Sequence, residues 1–177
     1  MNPGYELLYH VEADFYPQLG YHTNWAIEDP RYLVQNLPLF LAGLPTILPP
    51  CVPGAVRSLF DPACPVALPR DVGMGLFLTS PGWLVAFASL RWLGRDRLVP
   101  GAAVAIVLIA LADLMHFSQG WVQFGYRFSN DYAPFGLILL ALALDAGGRL
   151  RRVGYVLIAI SILIMAWGVT WGHILGW

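Results

Sequence analysis

The chain contains no lysine: the ten cationic residues among its 177 are all arginines. Schiff-base and other lysine-dependent chemistry is thereby excluded. Charge of either sign is scarce, at 12% of residues, where soluble domains carry roughly 25%. The net charge is −1 and no basic tract occurs, so the footprint of a nucleic-acid-binding protein is missing. No asparagine lies in an N-x-S/T sequon. Cysteine is limited to Cys51 and Cys64, which without nearby histidines supply too few ligands for zinc. No metal and no other cofactor is expected. The opening residues are polar and aromatic-rich and lack a basic stretch followed by an apolar one, so no signal peptide is expected there. They read as a segment from inside a longer protein.

What is plentiful is apolar sequence, 58% of residues with a mean hydropathy of +0.61. Crossing about 30 Å of hydrocarbon takes roughly 20 helical residues, and four stretches approach that length, at 72–93, 98–117, 128–144 and 153–172. Pro81 predicts a kink in the first, and Pro100 suits the first turn of the second. A fifth apolar stretch, residues 32–50, follows Asp29-Pro30, an acid for the helix cap and a proline for the first helical position. Pro38, Pro45, Pro49 and Pro50 interrupt it, which fits an interfacial or re-entrant helix near 30–48 better than a crossing. The expected fold is all-α, a polytopic integral membrane helical bundle of about four transmembrane helices plus that interfacial piece.

Arginine placement predicts orientation. Arg91, Arg95 and Arg97 lie between the first two stretches, and Arg149, Arg151 and Arg152 between the last two. By the positive-inside rule those connections face the cytoplasm. Residues 1–71, the loop at 118–130 and the C-terminus then lie outside the cytoplasmic membrane. Trp121, Trp167 and Trp171 would sit at the outer interface, His173 among them. On that side Cys51 and Cys64 can form a disulfide. The acidic residues Glu6, Glu12, Asp14, Glu28 and Asp29 show no pairing pattern and read as a solvated outer surface. Gly73-Met74-Gly75 is too little for a phosphate loop.

Chemistry-bearing groups gather around the third stretch. Asp113 and His116, three apart, share a face near the outer end of the second helix, where ionisable groups are functional candidates or reach the headgroups. Ser118 nearby does not complete a hydrolase triad on one helix. The run "GWVQFGYRFSNDYAPF", residues 120–135, sets Gln123, Arg127, Asn130 and Asp131 among six aromatic residues. Arg127 and Asp131, four apart, would pair if a helix already begins near Tyr126. Two readings stand side by side. Arg127 takes a lipid phosphate bidentately with rings flanking a sugar or lipid chain, or the run is an aromatic belt anchor with an internal Arg–Asp pair.

The same run, through Gly120, Gln123, Phe124, Gly125, Tyr126, Arg127, Asp131, Pro134 and Phe135, resembles the "QFGYR-x-x-x-D-x-x-PF" run of bacterial GT-C-type, protein-mannosyltransferase-like membrane glycosyltransferases. Gly73, Gly75, Ser80 and Pro81 resemble a "G-x-G-x-x-x-x-SP" span that precedes it in such proteins. The resemblance covers residues 29–145, and more loosely the whole chain. It implies transfer of a sugar from a polyprenyl-phosphate donor on the outer membrane face. Arg127 would bind phosphate, Asp131 orient it, and Gln123 and Tyr126 contact sugar or lipid. Asp113 and His116 would shape the same cavity. The family's catalytic acid belongs to an earlier outer loop, so this chain is expected to be the C-terminal membrane region, inactive without an N-terminal half. The non-enzymatic alternative is a small four-span scaffold or binding protein whose partner is the membrane or another membrane protein.

Overall fold

The computed structural model describes residues 28–52, 54, 56–70, 72–117 and 123–177. Glu6, Glu12, Asp14, Ser118, Gly120 and Trp121 lie outside the described residues. The described chain is mostly helical. Its helices are α1 (Tyr32–Ala42), α2 (Leu76–Thr79), α3 (Trp83–Ala86), α4 (Leu98–Leu114), α5 (Ser129–Asp145) and α6 (Gly148–Leu175), with a 3-10 helix over Phe87–Trp92.

Asp29 does not cap α1 as its position predicts. Its carboxylate accepts the backbone N–H of Arg31 at 2.9 Å and grips the Arg31 guanidinium at 2.8 and 2.7 Å. The helix therefore starts after Arg31. These hydrogen bonds hold the Asp29 carboxyl down at about 2, so it stays ionised at any physiological pH. With 11 residues, α1 is roughly 16 Å long and too short to cross a bilayer.

Residues 72–93 do not form one kinked helix. Thr79 turns its hydroxyl back onto the carbonyls of Gly75 and Leu76, both at 3.2 Å. Pro81 then disfavours helical geometry at Ser80, which adopts φ −139° and ψ 67°. The chain restarts as α3, whose Gly82 N–H is satisfied by Ser161 Oγ of α6 at 3.0 Å. Ser89 donates to the Ala86 carbonyl at 2.6 Å and lies in the 3-10 turn that follows.

The pair α4 and α5 packs around Val99, Ala102 and Leu139, with Ala86 of α3 in the same cluster. Gly136 of α5 lies flat against the Trp83 ring, where any side chain would collide. Helix α6 begins earlier than the apolar run alone indicates, so Arg149, Arg151 and Arg152 occupy its first turns. Arginine is poorly placed at a helix N-terminus. Arg151 offsets this by reaching back to the Leu144 and Asp145 carbonyls that end α5, at 2.9 and 3.2 Å.

At 28 residues, α6 is roughly 42 Å long. Among the described residues it is the one helix long and apolar enough to cross a membrane; its most apolar 18-residue stretch has a mean hydropathy of 2.2 and is only 17% buried. Val156, Ile162, Leu163 and Val169 are each more than half exposed. A helix this apolar and this uncovered favours hydrocarbon over water as its surroundings, which supports membrane association. By length alone four continuous spans do not emerge: α4 and α5 have 17 residues each and 72–93 is interrupted.

The described residues of 43–75 form a cap over one end of the bundle. Strand β1 (Thr46–Ile47) pairs antiparallel with β2 (Ala67–Leu68), and between them a disulfide joins Cys51 to Cys64 with their Cα atoms 5.7 Å apart. Arg57 fills the loop, its guanidinium donating to the Leu48, Pro65 and Val66 carbonyls. The Leu59 carbonyl accepts both indole N–H groups of Trp167 and Trp171, each at 2.8 Å. These tryptophans are therefore buried against the cap, with Met74 and Ala67.

Asn36 of α1 is wholly buried. Its amide donates to the Leu114 and His116 carbonyls at 3.0 and 2.8 Å, and the Asp29 N–H takes the intervening Met115 carbonyl at 2.8 Å. Three carbonyls that end α4 are thus capped from one segment. Asn36→Leu fills the same space but withdraws two donors, and is expected to cost about 2 kcal/mol. Thermal unfolding in detergent and amide exchange at the α4 end check this; unchanged midpoints would contradict it.

Candidate functional site

The site lies where the end of α4, the start of α5 and the turn at 123–128 meet. Gln123 is buried at 6% exposure. Its side chain donates to the Val72 carbonyl at 3.2 Å and accepts the Arg127 N–H at 3.0 Å. The left-handed Gly73, φ +94°, runs tight against that side chain and the Gly125 carbonyl. Tyr126, 3% exposed, packs edge-on to Phe40 of α1 with centroids 5.0 Å apart. Neither Gln123 nor Tyr126 is presented as a sugar-contacting group. Their burial makes them the frame of the turn.

What that frame presents is Arg127, which is exposed. Its guanidinium carbon lies 6.0 Å from the Phe128 ring, and it makes no ion pair or side-chain hydrogen bond among the described residues. The expected pairing with Asp131 does not form. Helix α5 starts only at Ser129, which leaves Arg127 in the preceding turn and Asp131 in the first helical turn. There the helix dipole, rather than an arginine, favours the carboxylate.

Asp113 lies in the last turn of α4 and His116 just beyond it. His116 Nδ1 meets Glu28 Oε1 at 2.7 Å, so Glu28 is tied by a hydrogen bond across the end of α4. The His116 ring also stands edge-on to Phe128, centroids 5.6 Å apart. Phe128 therefore has Arg127 over its ring and His116 and Tyr126 in edge-on contact, Tyr126 at 6.0 Å. Asp113 faces a different set of groups: Asp131 and Glu28 lie within electrostatic range of it.

Beside this cluster is a cavity of about 310 Å³ between α1, α2, the 3-10 helix, α4 and α5. Phe40, Phe77, Leu90, Ile106, Tyr132 and Leu139 lie on its walls, which are almost wholly apolar. A ladder of rings, Phe77, Phe40, Tyr126 and Phe128, leads from the cavity wall to Arg127. Sequence reasoning missed Phe40, Asn36 and the cavity itself. Asn36 alone carried a signal, as an amide next to Gln35 inside an apolar stretch. Among the described residues no three histidine, cysteine, aspartate or glutamate side chains converge as metal ligands.

No family model, curated protein or solved structure matches the chain.

Proposed function

We propose that the chain is a lipid-phosphate-binding membrane region of a polytopic, GT-C-type glycosyltransferase-like protein, serving a sugar-transfer site on the outer face of the cytoplasmic membrane. The observation that carries this reading is Arg127: an exposed guanidinium with no ion pair among the described residues, flanked by rings, one ring ladder away from an apolar cavity. A guanidinium meets phosphate with two parallel hydrogen bonds, while a cavity of this size takes part of a polyprenyl chain. In this arrangement α4, α5, α6 and the interrupted 72–93 segment cross the bilayer. Two features support the cap and Arg127 facing outward. The disulfide belongs to an oxidising compartment, and the arginines at 91–97 and 149–152 lie in the opposite connections.

Binding of polyprenyl phosphate to the detergent-solubilised chain, followed by native mass spectrometry, tests the reading. Arg127→Ala is expected to weaken it about tenfold, equivalent to about 1.4 kcal/mol, and Arg127→Lys less, because a point charge keeps attraction without the fork. Polyprenol, which lacks phosphate, should bind both proteins alike. Equal phosphate binding by wild type and Arg127→Ala would refute the proposal.

A further inference from the structure

No charged residue and no histidine occurs from Tyr32 to Val56, yet the helix in this run is too short to cross a bilayer. Its polarity is inverted. The side of α1 turned into the bundle carries Tyr32 and Asn36, both wholly buried. The side turned away carries Val34, Leu37 and Leu41, with Val34 82% exposed. Leu44 and Ile47, next along the chain, are exposed as well. A helix surrounded by water turns its apolar stripe inward. Polar groups inward and apolar groups outward is the arrangement that hydrocarbon favours.

Two anchors fix how α1 lies. Asn36 holds carbonyls at the end of α4, and the Gly43 carbonyl accepts the Gly75 N–H at 2.9 Å, just before α2 begins. Consecutive crossings run antiparallel, so the end of α4 and the start of the 72–93 segment belong to the same end of the bundle. Helix α1 therefore lies across that end instead of dipping along the bundle. Pro38 has no N–H to return to the Val34 carbonyl. Headgroups and water can satisfy that carbonyl, and dry hydrocarbon cannot.

What covers the exposed face follows from its continuity with the neighbouring surface. Helix α4, a crossing segment in the reading above, exposes Val104, Val107, Leu108 and Leu111. Leu41 and Val107 are walls of the same cavity and each is roughly half exposed. The α1 face thus meets the α4 stripe at that opening, and every residue lining it is uncharged.

We infer that Val34, Leu37 and Leu41 of α1, with Leu44 and Ile47, are seated among the lipids of the outer leaflet, at the boundary of headgroups and acyl chains. The partner of this surface is bilayer lipid itself. Interfacial helices bury their apolar face by about 5–10 Å, which leaves Glu28, Asp29 and Arg31, just ahead of α1, level with the headgroups. The cap that carries the disulfide is thus held down on the membrane rather than raised into the aqueous space. The inference rests on the membrane reading and is independent of which lipid phosphate Arg127 binds.

Cys51 and Cys64 are joined, so one introduced cysteine supplies the sole free thiol of the folded chain. The full chain in phosphatidylcholine nanodiscs carries a nitroxide at Val34→Cys, Leu37→Cys, Leu44→Cys or Ile47→Cys. Arg95→Cys, exposed in the opposite connection, is the aqueous reference. Relaxation by oxygen, which concentrates in hydrocarbon, is compared with relaxation by a nickel chelate, which stays in water. Each of the four sites is expected to show an oxygen-to-nickel ratio several-fold above that of Arg95→Cys, with Leu37 and Leu44 about 5–10 Å below the phosphates. A ratio equal to that of Arg95→Cys would put the face in water and overturn the inference. Low accessibility to both agents would mean that protein covers the face, a second copy included, and overturns it too. Depth increasing steadily from Val34 to Ile47 toward the bilayer centre would contradict the lying helix. Immersion at all four sites, with polyprenyl-phosphate binding indifferent to Arg127→Ala, would sustain this inference and defeat the functional reading.

Discussion

Gln123→Leu is expected to unfold the turn that presents Arg127, costing about 2–4 kcal/mol and removing polyprenyl-phosphate binding with it. Leucine fills the site but neither donates to Val72 nor accepts from Arg127, two bonds that Gln123 makes at 3.2 and 3.0 Å. Losses of such buried hydrogen bonds run at about 1–3 kcal/mol apiece. Gln123→Glu separates the two contributions. It keeps the acceptor for Arg127 and loses the donor to Val72, so it should retain more binding than Gln123→Leu at comparable loss of stability. Thermal unfolding and native mass spectrometry on both variants decide this. Full stability of Gln123→Leu would show that the turn is held by the rings alone.

Reducing the disulfide is expected to cost about 3 kcal/mol, the usual effect of opening a loop of this size. Cys51 and Cys64 are 13 residues apart, and Leu59 between them holds Trp167 and Trp171 through one carbonyl. Release of the loop should therefore unclamp the end of α6 as well as loosen the cap. The measurable signs are a lower unfolding midpoint and a red-shifted tryptophan emission on adding a reductant. The Cys51→Ser/Cys64→Ser double variant should show both without reductant and no further change with it. An unshifted emission spectrum would mean that the indoles are held by the Met74 and Ala67 packing instead.

The long apolar runs were legible in the sequence, since the length of an uninterrupted apolar stretch directly limits where a helix can lie. Expectation over 98–117 and 128–144 compares with helices at Leu98–Leu114 and Ser129–Asp145. Helix α6 extends past its apolar run because Arg151 finds carbonyls at the end of α5, a tertiary contact that periodicity does not carry. The break within 72–93 shows the opposite limit. Pro81 was visible as a kink, but the complete stop also needs the Thr79 back-bonds and an acceptor supplied by Ser161, 79 residues away.

The candidate site divides in the same way. That Arg127 stands among rings was readable from residues 120–135, whereas its separation from Asp131 depends on where α5 starts. Gln123 and Tyr126 look like ligand contacts by type. They are buried because Val72 and Phe40, from distant parts of the chain, come to meet them.

The central claim is that a lipid phosphate sits with its chain in the apolar cavity and its head toward Arg127. Photolabelling with a diazirine-bearing polyprenyl phosphate tests it most directly, with labelled peptides mapped by mass spectrometry. The account predicts labels on cavity residues such as Phe77, Leu90 and Ile106, and their loss when Ala110→Trp fills the cavity. Labels spread over the exposed face of α6, indifferent to Ala110→Trp, would contradict it.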